Sequence, residues 1–280
     1  MRLPSSRPGR RRAGCRTTSR GFRRATKAPT RRRRACPTPP ARRADRYVPC
    51  VTASAPEVLR WWADGELAVS GRLDQLTDEE LAAPSPLPDW SRAHVVAHLA
   101  RNADALGNLL AWARTGVETP MYPSREVRDA EIAATAALPA PELRADFVAS
   151  CARFAEAVET LPDDAWTAHV RNMPGTTIPV TDVPWMRAKE IWVHGVDLDA
   201  GLTFADLPAD FAAALVDDVL AVFAERGQAP DLTVVATDAG RTWGSGRTRV
   251  HGPVTAVAAW LTRDDASGLH GDVPPAPRWL

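Results

Sequence analysis

Glu190 and His194 stand one turn apart in the segment WMRAKEIWVHGVD, and His98 lies far upstream in SRAHVVAHLARNADAL. At about 100° per helical residue, Glu190 and His194 are separated by about 40° and share a face with Arg187 and Asp197. His98 falls at the edge of an apolar stripe of Val95, Leu99, Asn102, Leu106, Leu109 and Ala113, so its imidazole borders a core rather than facing water. Two imidazoles and a carboxylate from two helices form a donor set that can close around a divalent ion, and an open position on such a set suits catalytic zinc. The spacing also supports a second reading. Glu190 can form a surface ion pair with Lys189 or Arg187 while His194 is a satisfied buried histidine. Glu-x-x-x-His is common in helices and is not the His-Glu-x-x-His of metalloproteases, so both readings stay open.

Other residues are weighed beside this trio. His94, one turn before His98, is the rival ligand; His169, His251 and His270 have no motif around them. Cys151 sits mid-helix between phenylalanines and reads as core, because a reactive thiolate needs cations, a metal or a helix N-terminus. Arg101, Arg125 and Arg187 are candidates to meet an anionic substrate, with a solvated charge as the alternative for each. Arg241, Arg247 and Arg249 alternate along a presumed strand pair near the C-terminus. Trp90 and Trp185 precede the two histidine-bearing segments and can border a pocket, whereas Trp62, Trp112, Trp166 and Trp260 read as packing residues. The Gly-Ser-Gly at 244–246 is a turn, since no strand, phosphate loop and helix surround it.

The elements that must position these residues are mostly helical. Apolar periodicity predicts a first helix over 55–76, a second from the cap Ser91 to about Arg114 with Gly116 ending it, a third after Ser124, and a fourth from Pro141 carrying Leu143, Phe147, Cys151, Phe154 and Val158. Residues 166–180 read as irregular or extended. A fifth helix starts near Thr181 and Pro184 and carries Glu190 and His194; a sixth runs from Pro208 to Arg226 and stops at Gly227. The pattern then changes. Leu232–Thr237 is a β-branched run that reads as a strand, 241–250 as one or two more, Gly252-Pro253 opens a helix to Leu261, and a last strand is expected over 268–273.

Charge divides the chain. Residues 1–50 hold 17 of the 35 Lys and Arg beside a single acid, Asp45, whereas the other 230 residues hold 18 bases against 33 acids. The first segment is expected to be a disordered basic tail, able at most to touch nucleic acid non-specifically, and its abrupt end points to a true start near Val48 or Val51. The expected organisation is therefore a tail over 1–50, a metal-binding helical bundle over 51–226 and a small α/β domain over 227–280. Three of the four cysteines (Cys15, Cys36, Cys50) lie in the tail, which rules out a disulfide framework in the globule. No apolar run reaches membrane-spanning length, so a soluble cytoplasmic protein is expected.

The segments LPDWSRAHVVAHLARNADALGNLLAWARTGVETPMYPSREVRDAEI, VPWMRAKEIWVHGVDLDAG and VHGPVTAVAAWLTRD resemble the mycothiol-dependent maleylpyruvate isomerase family, within the DinB/YfiT-like metal-binding superfamily. The resemblance covers most of residues 54–280. It implies a mainly α fold, a DinB-like four-helix bundle with a small C-terminal α/β domain. It implies a divalent metal, usually zinc, on His98, Glu190 and His194, and it favours His98 over His94. It implies mycothiol as the thiol cofactor, an unsaturated oxo acid such as maleylpyruvate as the small-molecule substrate, and cis–trans isomerisation as the reaction. An arginine of the smaller domain is expected over the pocket, with Arg247 as the candidate, and Arg125 and Arg187 as substrate contacts. Two other functions remain compatible: a mycothiol S-transferase that detoxifies electrophiles, and a non-catalytic metal-binding bundle.

Overall fold

A computed structural model describes residues 53–279 of the 280. The basic tail and the expected start near Val48 or Val51 lie outside the described residues. Helix α1 covers Ala55–Leu73 and a short α2 covers Asp78–Ala82. The first helix stops before the expected Leu76 because Thr77 begins α2, its hydroxyl accepting from the Glu80 amide while the Glu80 carboxylate takes the Thr77 amide. Helix α3 (Arg92–Thr115) is capped by Ser91 and ended by Gly116, whose φ of 70° gives the left-handed turn that glycine adopts without strain. Helices α4 (Arg125–Ala136), α5 (Ala140–Glu159) and α6 (Val183–Asp197) follow. The irregular stretch before α6 is a small antiparallel hairpin, β1 (His169–Arg171) on β2 (Thr177–Pro179).

Helix α3 is the centre of the bundle. It packs against α4, α5 and α6, and α1 packs along α6. This placement follows from composition: α3 buries Val95, Val96, Leu99, Leu106, Leu109 and Leu110, with alanines filling the spaces between. The α1–α6 approach is set by glycines on both helices. A Cβ on Gly65 would stand 2.7 Å from Ile191 Cγ2, and one on Gly195 would stand 2.7 Å from Val69 Cγ2. Neither side chain has room, so the helices close onto each other, and the Trp192 indole donates to the Trp61 carbonyl at 2.7 Å across the seam. That seam fixes the rotation of α6 and therefore where Glu190 and His194 point.

After α7 (Ala209–Glu225) the chain forms a three-stranded sheet in the order β4 (Arg241–Trp243), β3 (Leu232–Ala236), β5 (Thr248–Gly252). β3 runs antiparallel to β4 and parallel to β5. Helix α8 (Val254–Arg263) then packs on α7. The fold is mainly α with a small C-terminal α/β part. The strand expected over 268–273 does not form; that segment makes a single antiparallel bridge, His270 to His251 on the open edge of β5, and the chain turns away at Gly271, whose φ is 111°. No helix among the described residues is long and apolar enough to cross a membrane.

Candidate metal centre

His98 comes from the buried face of α3, and Glu190 and His194 come from α6. The two helices bring them together: one ligand atom from each lies within 4.8 Å of the others. His98 Nε2 is 2.9 Å from Glu190 Oε2, His194 Nε2 is 3.4 Å from the same oxygen, and the two imidazoles meet at 4.5 Å between centroids, almost perpendicular. Glu190 does not form the ion pair with Lys189 or Arg187 that the competing reading expected. Lys189 pairs with Asp218 at 2.6 Å, and Arg187 pairs with Glu66 at 2.9 Å, so neither serves Glu190.

Each imidazole is held from behind. His194 Nδ1 lies 2.7 Å from Asp197 Oδ2, and Arg263 of α8 grips Asp197 with two bonds, Nε to Oδ1 at 2.7 Å and Nη2 to Oδ2 at 2.5 Å. A carboxylate behind a histidine fixes its ring and presents the other nitrogen as a lone pair, as metal-bound histidines require. Behind His98, Nδ1 faces Arg128 Nη2 at 3.3 Å, and Trp90 presses edge-on to the ring at 5.6 Å.

The electrostatics call for a positive charge between the three groups. Burial pushes the His98 pKa down to about 4, helped by His194 and Arg128 and opposed by Glu190. That ring is neutral near pH 7. It accepts from Arg128 at Nδ1 and donates from Nε2 to Glu190, a self-consistent tautomer. Burial alone would raise the Glu190 carboxyl, but the bonds from His194 and His98 outweigh it and hold it well below the usual carboxylate range. For His194, burial opposes protonation, and the bonds to Asp197 and Glu190 overcome it and raise the pKa. Asp197 is brought down to about 2, since the bonds from Arg263 and His194 outweigh the burial that would raise it. With Nδ1 donating to Asp197, a neutral His194 would aim its Nε2 lone pair at the Glu190 carboxylate. A proton or a cation relieves that contact, and two imidazoles with one carboxylate within 4.8 Å of one another are a donor set that fits a divalent ion.

The other residues singled out from sequence lie elsewhere. The His94 Nδ1 is 2.8 Å from Ser91 Oγ in the α3 cap and takes no part in the trio. Arg187, expected to meet substrate, is fully buried and bonded to Glu66, the Leu99 carbonyl, Asn102 and Cys151; it ties the bundle together and does not face a ligand. Arg125 is exposed at the start of α4, and Arg247 is exposed just before β5; neither bonds to the trio or its supports among the described residues. Arg101 is paired with Asp146 at 2.5 Å and Asp104 at 3.2 Å. Of the two tryptophans, Trp90 borders the site, while Trp185 packs against Trp61 and Phe211 in the core. Cys151 is pushed up to about 12, by burial above all, so it offers no thiolate at neutral pH.

Sequence reasoning missed Arg128 and Arg263, and placed Asp197 on the right face without giving it a role. His-x-x-Asp at 194–197 was a readable signal for Asp197. Arg128 lies one turn after Arg125, and nothing local separates them.

A family model described as the mycothiol maleylpyruvate isomerase N-terminal domain matches residues 62–199, which include the trio and Asp197. The crystal structure of a mycothiol-dependent maleylpyruvate isomerase superposes with a TM-score of 0.77 at 32% identity, covering 81% of this chain and 98% of that one. A structure of such an isomerase carrying a histidine-to-alanine substitution superposes with a TM-score of 0.76 at the same identity and coverage. No curated protein sequence matches the chain.

Proposed function

The chain belongs to the mycothiol-dependent maleylpyruvate isomerase family, and from that premise we propose that it is a metal- and mycothiol-dependent cis–trans isomerase of maleylpyruvate-like unsaturated oxo acids. The observation that carries the reading is the convergence of His98, Glu190 and His194, one neutral imidazole, one carboxylate and one carboxylate-braced imidazole, on a single point.

Rotation about a conjugated double bond is blocked until its π character is lost. The reaction requires a temporary carbon–sulfur bond: a thiolate adds to one alkene carbon, the π electrons move to the conjugated carbonyl oxygen, the single bond turns, and the electrons return as the thiolate leaves. Oxidation state is unchanged, so no redox partner is needed. A divalent ion held by His98, Glu190 and His194, zinc by its fit to this donor set, would lower the pKa of a bound thiol and supply thiolate at neutral pH. The chain's own residues do the rest. Asp197 and Arg263 keep the His194 ring in the ligating tautomer. Arg128 places positive charge beside the trio, where negative charge builds on the oxo-acid oxygens. Cys151, protonated and half-buried, leaves the sulfur to an external thiol. A cytoplasmic location is part of this reading, because a free low-molecular-weight thiol persists in a reducing compartment.

The test uses the purified full-length chain. Bound metal is measured, and maleylpyruvate absorbance is followed with and without mycothiol. Turnover is expected to need both the metal and the thiol. Isomerisation that survives chelation, or thiol conjugation of unrelated electrophiles with no isomerisation, would sink the proposal.

A further inference from the structure

The segment between α3 and α4 carries Met121 and Tyr122 into the core, and Asn108 Nδ2 holds it through the Pro120 and Met121 carbonyls at 3.4 Å. Tyr122 is only 9% exposed, and its hydroxyl is buried with no hydrogen-bond partner among the described residues. A hydroxyl left in that state destabilises a fold, which makes it a site waiting for an acceptor. Tyr122 lies two residues before Ser124, the cap of α4, and Arg128 lies one turn into that helix, beside His98.

Arg128 is the second half of the arrangement. Its partners are exchangeable. One is Asp129, itself 58% exposed, and the other is the neutral Nδ1 of His98. An ion bound at His98 Nε2 would leave the ring proton on Nδ1, which then no longer accepts from Arg128. Four other arginines, on α3, α6 and α8, are committed. Arg187 is fully buried among its partners, Arg263 has both arms on Asp197, Arg101 is paired with Asp104 and Asp146, and Arg92 is bonded to Asp199 and the Leu198 carbonyl.

We infer that Arg128 and Tyr122 form the recognition corner for a substrate carboxylate, the guanidinium pairing with the anion and the phenol donating a hydrogen bond to one of its oxygens. This rests on the isomerase reading and adds the residues that select an acid over a neutral unsaturated ketone. The corner explains why a buried hydroxyl is kept without a partner: the partner arrives with the ligand.

The experiment uses zinc-loaded full-length protein, maleate as the probe, and the variants Tyr122→Phe and Arg128→Met. Without maleate, Tyr122→Phe is expected to melt no lower than wild type, because it removes a group that bonds to nothing. Maleate affinity is expected to fall about tenfold in Tyr122→Phe and about a hundredfold in Arg128→Met, with zinc content unchanged in both. Wild-type affinity in both variants, no maleate binding by wild type, or loss of zinc together with maleate would each overturn the corner. The two proposals separate cleanly. Variants that lose maleate in a protein that never isomerises maleylpyruvate would support the corner and sink the isomerase. Isomerisation with KM unchanged in both variants would do the reverse.

Discussion

Helix α6 builds two polar clusters within the bundle, both against α3, and they behave as opposites. Around Arg187 the donors and acceptors match: Nε bonds to Glu66, Nη1 to the Leu99 carbonyl and Asn102, and Nη2 to Cys151. One turn on, around Glu190 and His194, acceptors outnumber donors, and one imidazole nitrogen faces a carboxylate with nothing between them unless a proton is added. A buried network that satisfies itself is a joint. A buried network short of positive charge takes up a proton or, on the proposed reading, a metal ion. The same helix supplies both because residues 187, 190 and 194 share a face while meeting different neighbours along the length of α3.

The comparison can be broken most forcefully at the joint. Arg187→Ala leaves Glu66 without its partner in a largely buried place, and a loss of about 3–5 kcal/mol in urea unfolding is expected. A loss below about 1 kcal/mol would show that the cluster is not structural. At the second cluster the sign differs. His194→Ala is expected to lose bound zinc by metal analysis yet, in chelator, to melt within a few degrees of wild type; full zinc occupancy would remove His194 from the ligand set.

Asp197 sits between the two regimes, since it braces His194 and is itself gripped by Arg263. Asp197→Asn is expected to weaken zinc binding about 10–100-fold in a competition titration. The folded pKa of Asp197 lies below its ordinary value, at about 2, so its contribution is present above about pH 4 and disappears as pH falls towards 2. That contribution amounts to about 2 kcal/mol, and acid unfolding of Asp197→Asn should lack it. The smallest effect is expected at Cys151, where Cys151→Ser should keep thiol-dependent turnover within about twofold, and mass spectrometry should find Cys151 unlabelled by a thiol reagent at pH 7 until the chain is unfolded. Labelling of the native state would contradict the burial that pushes its pKa up.

Much of this was legible locally. The caps at Ser91 and Ser124, the stop at Gly116 and the one-turn pairing of Glu190 with His194 all depend on residues within four positions of each other. The expected strand over 268–273 shows the limit on the other side, because the segment meets the open edge of β5 only at His270 and turns away at Gly271, at a φ of 111°. The arginines were the least readable part. Arg125, Arg128 and Arg187 have the same chemistry in the sequence, yet one is in solvent, one lies against His98 and one is sealed in the core.

The sequence by itself determined most of the helices, the caps of α3 and α4 and the two halves of a candidate metal-binding set, since these follow from backbone hydrogen bonding and from the 3.6-residue period. Only the tertiary structure decided that His98 meets Glu190 across 92 positions of chain, that Arg263 of the last helix braces Asp197, and that Arg128 rather than its neighbours reaches the site. The reason is geometric. Which face of α6 turns toward α3 is set by the close approach allowed at Gly65 and Gly195, and a contact of that kind is a property of two packed surfaces, written in neither segment alone.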